Sequence, residues 1–303
     1  MAADVVTLAG SAVFSFLPTV LHHYAADLLK GTYNYRFLWA LAFVLNVIWL
    51  NIPGRFDTPT VDKSGKIQKF VPKREFQTCF MPAGWTFAVW GLIYASETLV
   101  TLYVVFSSNS MEGNALEIVK NASIYWFAGN IYQVLWCVFF RKKFRSKLFL
   151  STMMLGAAAY ALVLTQMQLS EGIYKVGRND GFALDLMCAA ITIHASWCIA
   201  ATLVNINIYF ALDGATACLQ LAYALISAIF GAIVGIFLCY TTKNVWYGLT
   251  FAWAFYGLSE KTLHDCDVAA KIDRDSLDTL GKVEQFICYA HLATVVIVFQ
   301  ETW

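Results

Sequence analysis

The sequence predicts an all-α protein, a bundle of helices that crosses a membrane many times, and three observations carry that expectation. Of its 303 residues, 59% are hydrophobic and only 14% are charged, with a mean hydropathy of +0.59, whereas an ordinary soluble domain carries about 25% charge. The apolar residues are gathered into runs long enough to span hydrocarbon, which takes about 20 predominantly apolar residues. Ten Trp and 15 Tyr include several, such as Tyr33, Tyr35, Trp246 and Tyr247, at the ends of those runs, where amphipathic rings favour the bilayer surface. A soluble enzyme is thereby excluded. The balance of 21 basic against 20 acidic residues, net charge +1, leaves no electrostatic footprint for nucleic acid.

In chain order, residues 1–35 form an N-terminal extension. Its apolar stretch 5–21 is interrupted by Pro18 and followed by His22 and His23, which favours an interfacial or buried helix over a span. Run 36–52 is short but flanked by Tyr33 and Tyr35. A polar loop follows, with Gly54, Pro59, Gly65 and Pro72 as backbone breakers, and it is long enough to fold over a helix mouth. Runs 83–106, 122–140, 148–167, 182–210 and 216–240 are full-length candidates. Run 245–258 is short and gains support from Trp246 and Tyr247. A polar loop at 259–283, expected to hold a short surface helix or partner contact, leads to the last run, 284–303.

With eight spans, the loops alternate sides. One side carries 15 Lys and Arg and the other carries 6, together all 21 of them, so the positive-inside rule puts both termini away from the cytosol. The cluster Arg141-Lys-Lys-Phe-Arg145 reads as a topology anchor, with anionic lipid headgroups as the minor alternative. Cys137, Cys188, Cys198, Cys218, Cys239 and Cys288 fall inside apolar runs and no CxxC occurs, so they read as small packing residues. The N-terminus, with Asp4 and no early Lys or Arg, has neither a secretory signal nor an Arg-rich transit peptide. The protein is expected to be an integral multi-pass membrane protein; mitochondrial, plastid and ER membranes all remain open.

Three stretches carry chemistry. After Pro82 and Gly84, Phe87, Trp90, Tyr94, Glu97 and Thr101 follow at steps of three, four, three and four, so they share one helical face. That face is aromatic and polar, which suits a bundle interior or a flat-ring ligand; an ordinary packing face reads the same way. Trp126, Asn130, Gln133 and Cys137 line up likewise, with Trp136 to one side. Their amides should point inward, either to hydrogen-bond a neighbouring helix or to orient a ligand. On the fifth run His194, Ala201 and Asn205 share a face with Trp197 beside them, and Ala200 and Ala201 permit close approach.

These motifs resemble the translocator-protein family, the tryptophan-rich sensory proteins or TspO. The resemblance rests on Pro82-Ala-Gly-Trp85 with Phe87, Trp90 and Tyr94, on Gln133 before Trp136 and Phe139-Phe140, and on Trp197, Thr202 and Asn205. It covers about 36–210, and the additional helices of 211–303 resemble the longer branch of the family. It implies a five-helix core at 36–210 with a pocket for porphyrins, sterols or aromatic synthetic ligands, covered by the first loop. Carried over by motif position, the pocket residues are Trp85, Phe87, Trp90, Trp136, Trp197, Ala201 and Asn205; Tyr94 and Gln133 join them from the faces described above. Gln133 stands where the family usually has Asn. The sterol-recognition pattern expected after the fifth helix is absent, since Tyr209 is followed by Phe-Ala-Leu-Asp-Gly; a match at Leu169, Tyr174 and Arg178 falls in a loop.

Function is expected to be the binding or movement of a hydrophobic planar ligand, a tetrapyrrole ahead of a sterol, with membrane lipids as neighbours and no covalent chemistry required. Oxidative porphyrin breakdown, suggested for the family, has no independent support in this sequence. The alternative is an accessory subunit of a large organellar membrane complex, in contact with other membrane subunits. No cofactor is required, although porphyrin, haem or lipid would fit. Glu97, Asp185, His194 and His291 lie within spans, where ionisable groups are costly and suspect by default; the two histidines are weak haem-ligand candidates. His264-Asp-Cys-Asp267 lacks a second ligand pair for zinc, so no metal is expected. The sequon Asn121-Ala-Ser123 abuts a span too closely for ready glycosylation.

Overall fold

The computed structural model describes residues 34–56, 77–106, 114–173, 178–264 and 272–302. The 5–21 segment, the loop 57–76, Asp265 to Asp267 and Tyr174 lie outside them. Among the described residues there are eight α-helices and no strands: α1 (Tyr35–Asn51), α2 (Val89–Phe106), α3 (Asn114–Phe139), α4 (Leu148–Ile173), α5 (Arg178–Leu212), α6 (Ala217–Thr241), α7 (Val245–His264) and α8 (Arg274–Thr302). Short 3-10 turns at Gly84–Ala88 and Lys142–Lys147 lead into α2 and α4. Five helical segments are long and apolar enough to cross a membrane, Gly84–Phe106, Lys142–Ile173, Gly181–Leu212, Ala217–Thr241 and Arg274–Glu301; α1 is apolar but shorter. The protein is an all-α polytopic membrane protein.

Each of the eight runs from 36 onward is helical in its described residues, and the differences lie at the ends. Helix α3 begins at Asn114, well before 122, because polar residues such as Glu117 and Lys120 sit on its half-buried or exposed positions without breaking the helix. The described residues of the expected loop 259–283 are largely helical. Helix α7 continues to His264, and α8 starts at Arg274. There Asp273 accepts hydrogen bonds from the Ser276 amide (2.8 Å) and hydroxyl (2.7 Å), satisfying donors that a helix start leaves open. These charged first turns mislead a hydropathy scan. Between α5 and α6, Gly214 takes φ +90° and Thr216 caps α6 by accepting from the Leu219 amide; between α6 and α7, Lys243 takes the left-handed φ of +51°.

Two compact units divide the chain. The first comprises Met1–Asn51, Val89–Val138 and Met153–Cys198; the second comprises Ile52–Ala88, Phe139–Thr152 and Ile199–Trp303. In the first, Trp39 and Trp126 are fully buried and stack at 4.8 Å, and the Trp126 indole donates to the Trp39 carbonyl (3.1 Å). In the second, α6 buries small or polar side chains, Gln220, Ala224, Ser227, Ala228, Gly231, Gly235 and Cys239, and exposes Ile226, Ile229, Phe230, Ile233 and Phe237. That inside-out order belongs to a helix solvated by lipid, where small residues let backbones approach and large apolar ones face hydrocarbon. Helices α7 and α8 pack along each other, and His291 of α8 lies between Phe251 (5.3 Å) and Phe255 (5.6 Å) of α7, nearly parallel to both. A Cβ at Gly235 would overlap the His291 ring, so only glycine fits there.

Candidate functional site

The first unit holds a polar chain threaded through its apolar interior. Asn46 projects from the buried face of α1 and its amide donates to Asn130 Oδ1 (2.8 Å) and Gln133 Oε1 (2.7 Å) of α3. The Asn130 amide in turn donates to the Trp126 carbonyl (2.9 Å), and the Gln133 amide donates to the Tyr94 hydroxyl of α2 (3.1 Å). Asn46, Asn130 and Gln133 are fully buried. In hydrocarbon such amides hold helices together because unpaired ones are costly.

One turn beyond Tyr94, Glu97 shares a 2.6 Å hydrogen bond with His194 Nδ1 of α5, and both side chains are fully buried. Their outer atoms, Glu97 Oε2 and His194 Nε2, have no hydrogen-bond partner among the described residues. The Cys198 thiol, one turn along α5, stands close enough to interact with the imidazole. Aromatic rings surround the pair. Trp90 meets His194 edge to face at 5.7 Å and Trp197 at 6.3 Å, while Tyr94 stacks on Trp90 at 5.7 Å and lies 6.5 Å from His194. Trp136 is buried in the same unit. The arrangement offers flat π-faces, one buried hydrogen-bonded pair, and two polar atoms without a hydrogen-bond partner among the described residues.

Of the residues singled out from sequence, Trp90, Tyr94, Gln133, Trp136 and Trp197 belong to this unit, and Trp90, Tyr94, Gln133 and Trp197 are tied into the cluster by the contacts above. Trp85, Phe87, Ala201 and Asn205 belong to the second unit. There Trp85 and Phe87 are about one-third exposed, and the Trp85 indole donates to Glu260 (2.8 Å). Asn205 is nearly buried; its amide donates to the Ala201 carbonyl one turn back (3.0 Å) and its oxygen accepts from the Ser151 hydroxyl (3.3 Å). The first bond lies within α5, and the second joins α5 to α4 inside the second unit.

The model of the TSPO-like protein family matches residues 38–273. The chain belongs to that family. No curated protein and no solved structure matches it. The stretch matched by the TSPO-like model takes in α1 from Leu38, all of α2 to α7, and every member of the cluster in the first unit.

Fit to a haem differs between the two histidines of this TSPO-like chain. His194 has Nδ1 committed to Glu97 and Nε2 unpartnered among the described residues, with aromatic faces beside it. His291 donates through Nδ1 to the Ile287 carbonyl (2.8 Å), and although its Nε2 is also unpartnered among the described residues, the ring lies parallel to two Phe rings and against Gly235, an arrangement with no room for a macrocycle. Among the described residues no three His, Cys, Asp or Glu side chains gather as metal ligands.

Two residues of weight were missed by sequence reasoning. Asn46 is an amide in the middle of an apolar helix, and the inward-pointing argument used for Asn130 applies equally to it. Glu284 of α8 is fully buried beside Thr262; the sequence makes it the first residue of a span because the ten helical residues before it are polar enough to pass for loop.

Proposed function

We propose that this TSPO-like membrane protein binds a hydrophobic planar ligand, a tetrapyrrole ahead of a sterol, at the aromatic cluster of the first unit. One observation carries the reading: the Glu97–His194 pair is buried among Trp90, Tyr94 and Trp197 while Glu97 Oε2 and His194 Nε2 lack partners among the described residues. A buried polar atom left unpaired costs about 1–3 kcal/mol, so a ligand whose polar groups meet these two atoms recovers that cost while its rings stack on the indoles. A tetrapyrrole combines ring area with polar substituents; a sterol offers one hydroxyl and no π-face. Trp90, Tyr94, Trp136 and Trp197 would supply stacking, and Gln133 orientation through Tyr94. No covalent step is needed.

The test is a titration of the detergent-solubilised protein with protoporphyrin IX, read as quenching of tryptophan fluorescence. Trp90→Leu keeps apolar bulk and removes the stacking surface, and it should weaken binding about 10-fold, or 1.4 kcal/mol. Unchanged affinity in a variant that melts at the parental temperature would remove the cluster as the site.

A second reading, an accessory subunit of a membrane complex, is favoured by the large aromatic side chains exposed elsewhere in the second unit, Tyr240 on α6 and Phe286, Tyr289 and Phe299 on α8. Gentle extraction from the native membrane separates the readings: stoichiometric co-migration with other subunits supports the second, and a lone monomer or dimer supports the first.

A further inference from the structure

The 3-10 turn at Gly84–Ala88 and helix α7, both in the second unit, build a fixed aromatic corner. The Trp85 and Trp253 rings stand perpendicular, 4.8 Å between centroids, and Tyr256 tilts against Trp85 at 5.6 Å. Both indole N–H groups are committed inside the protein, Trp253 to the Thr86 carbonyl (2.9 Å) and Trp85 to Glu260 Oε2 (2.8 Å). The backbone of the turn is pinned as well, by the Ala83 amide donating to the Gly257 carbonyl (2.8 Å). Yet Trp85, Trp253 and Tyr256 are 36%, 40% and 53% exposed.

An ordinary interfacial tryptophan keeps its ring in the acyl region and turns its N–H to headgroups or water. These two do not. Their donors are spent, so what remains to be offered outward is ring carbon, whose π-face carries negative electrostatic potential. Glu260 adds a carboxylate to the same corner, and among the described residues no Lys, Arg or His pairs with it. Two indole faces, a phenol ring and an uncompensated carboxylate together form a preorganised site of negative potential, the chemistry that attracts a cation to aromatic rings. Because the near carboxylate oxygen already accepts the indole and the rings accept poorly, a quaternary ammonium, which donates no hydrogen bonds, loses the least on entering.

We propose that Trp85, Trp253, Tyr256 and Glu260 bind the choline headgroup of a bilayer phospholipid. The source of the cation is argued from the surroundings. Trp85 lies one residue inside the start of the spanning segment Gly84–Phe106, at the level of a helix end. Along α7, exposed Trp253, Leu249 and Trp246 continue the same face away from Glu260 at steps of four and three, an apolar track for the acyl chain of a lipid whose headgroup sits at the corner.

The experiment is native mass spectrometry of the delipidated full chain titrated with 1-palmitoyl-2-oleoyl phosphatidylcholine or the matching phosphatidylglycerol. The first phosphatidylcholine should bind about 3- to 10-fold more tightly than phosphatidylglycerol, the range a partly exposed cation–π site supplies. Glu260→Gln keeps an acceptor for the Trp85 indole and removes only the charge, and it should bring the two lipids to near equality. Trp253→Phe, which retains a ring but loses indole area and the bond to Thr86, should reduce the preference without loss of fold by circular dichroism. Equal affinities in the parent protein, or a preference that survives in Glu260→Gln, would overturn the proposal. Tetramethylammonium chloride binding as tightly as phosphatidylcholine would overturn the lipid assignment in favour of a soluble cation.

Discussion

Replacing either member of the Glu97–His194 pair should be far more damaging than replacing both. The two side chains are fully buried and 2.6 Å apart, and each has one further polar atom without a partner among the described residues. Glu97→Leu removes the shared bond and leaves His194 with two unpaired nitrogens; His194→Leu leaves Glu97 with two unpaired oxygens. A buried hydrogen bond is worth about 0.5–3 kcal/mol depending on charge and each buried orphan costs about 1–3 kcal/mol, and breaking one side of a buried pair typically costs about 3–5 kcal/mol. The double variant, with Leu at both positions, leaves neither orphan in an interior already lined by apolar groups. It should lie within about 1 kcal/mol of the parent or above it. The assay is reversible unfolding in dodecyl maltoside with increasing sodium dodecyl sulfate, followed by near-UV circular dichroism. If the reasoning holds, the cycle shows a coupling of at least about 3 kcal/mol. Additivity within about 0.5 kcal/mol, the behaviour of independent sites, would refute it, and with it the view that the two groups compensate one another.

Asn46→Leu should destabilise the first unit by about 1–3 kcal/mol, since Asn130 Oδ1 and Gln133 Oε1 both lose their donor and interhelical bonds in membranes average about 0.6 kcal/mol before orphaned acceptors are counted. The same unfolding assay checks it, with Asn51→Leu, an exposed amide bonded only to its own helix, expected to stay within about 0.5 kcal/mol. At the start of α8, the Ser276 hydroxyl and amide hold the Asp273 carboxyl below the usual aspartate range. A folded value below the unfolded one means that the cap contributes fully above the ordinary range and is lost as pH falls through the lowered value. The protection of the Ser276 amide, taken relative to its intrinsic exchange rate at each pH, should therefore be retained at neutral pH and fall as solution is acidified beneath that range, and Asp273→Ala should abolish the pH dependence of that protection.

The helices were legible because hydrocarbon leaves a backbone little choice: wherever a span-length apolar run occurs, the amides must pair within it. Their ends were not, and the reason is the same physics seen from the other side. Beyond the hydrocarbon, helix is decided by caps and propensity, so α8 could extend back to Arg274, capped by Asp273, and α3 to Asn114 through residues that hydropathy discards. The site divides along a similar line. Helical spacing put Trp90, Tyr94, Glu97 and Thr101 on one face, and Glu97 and Thr101 are buried as that spacing requires; it could not say that the carboxylate reaches His194 of α5, because periodicity orders residues around one axis and is silent about which helix lies opposite. Trp85 makes the point most sharply. Its motif position groups it with Trp90, but a 3-10 turn and not an α-helix carries it, which changes the angle per residue and turns the ring onto Trp253 and Glu260 of α7. The aromatic corner that results joins residues of the turn to residues of α7 far along the chain, and no spacing rule for a single α-helix would have assembled it.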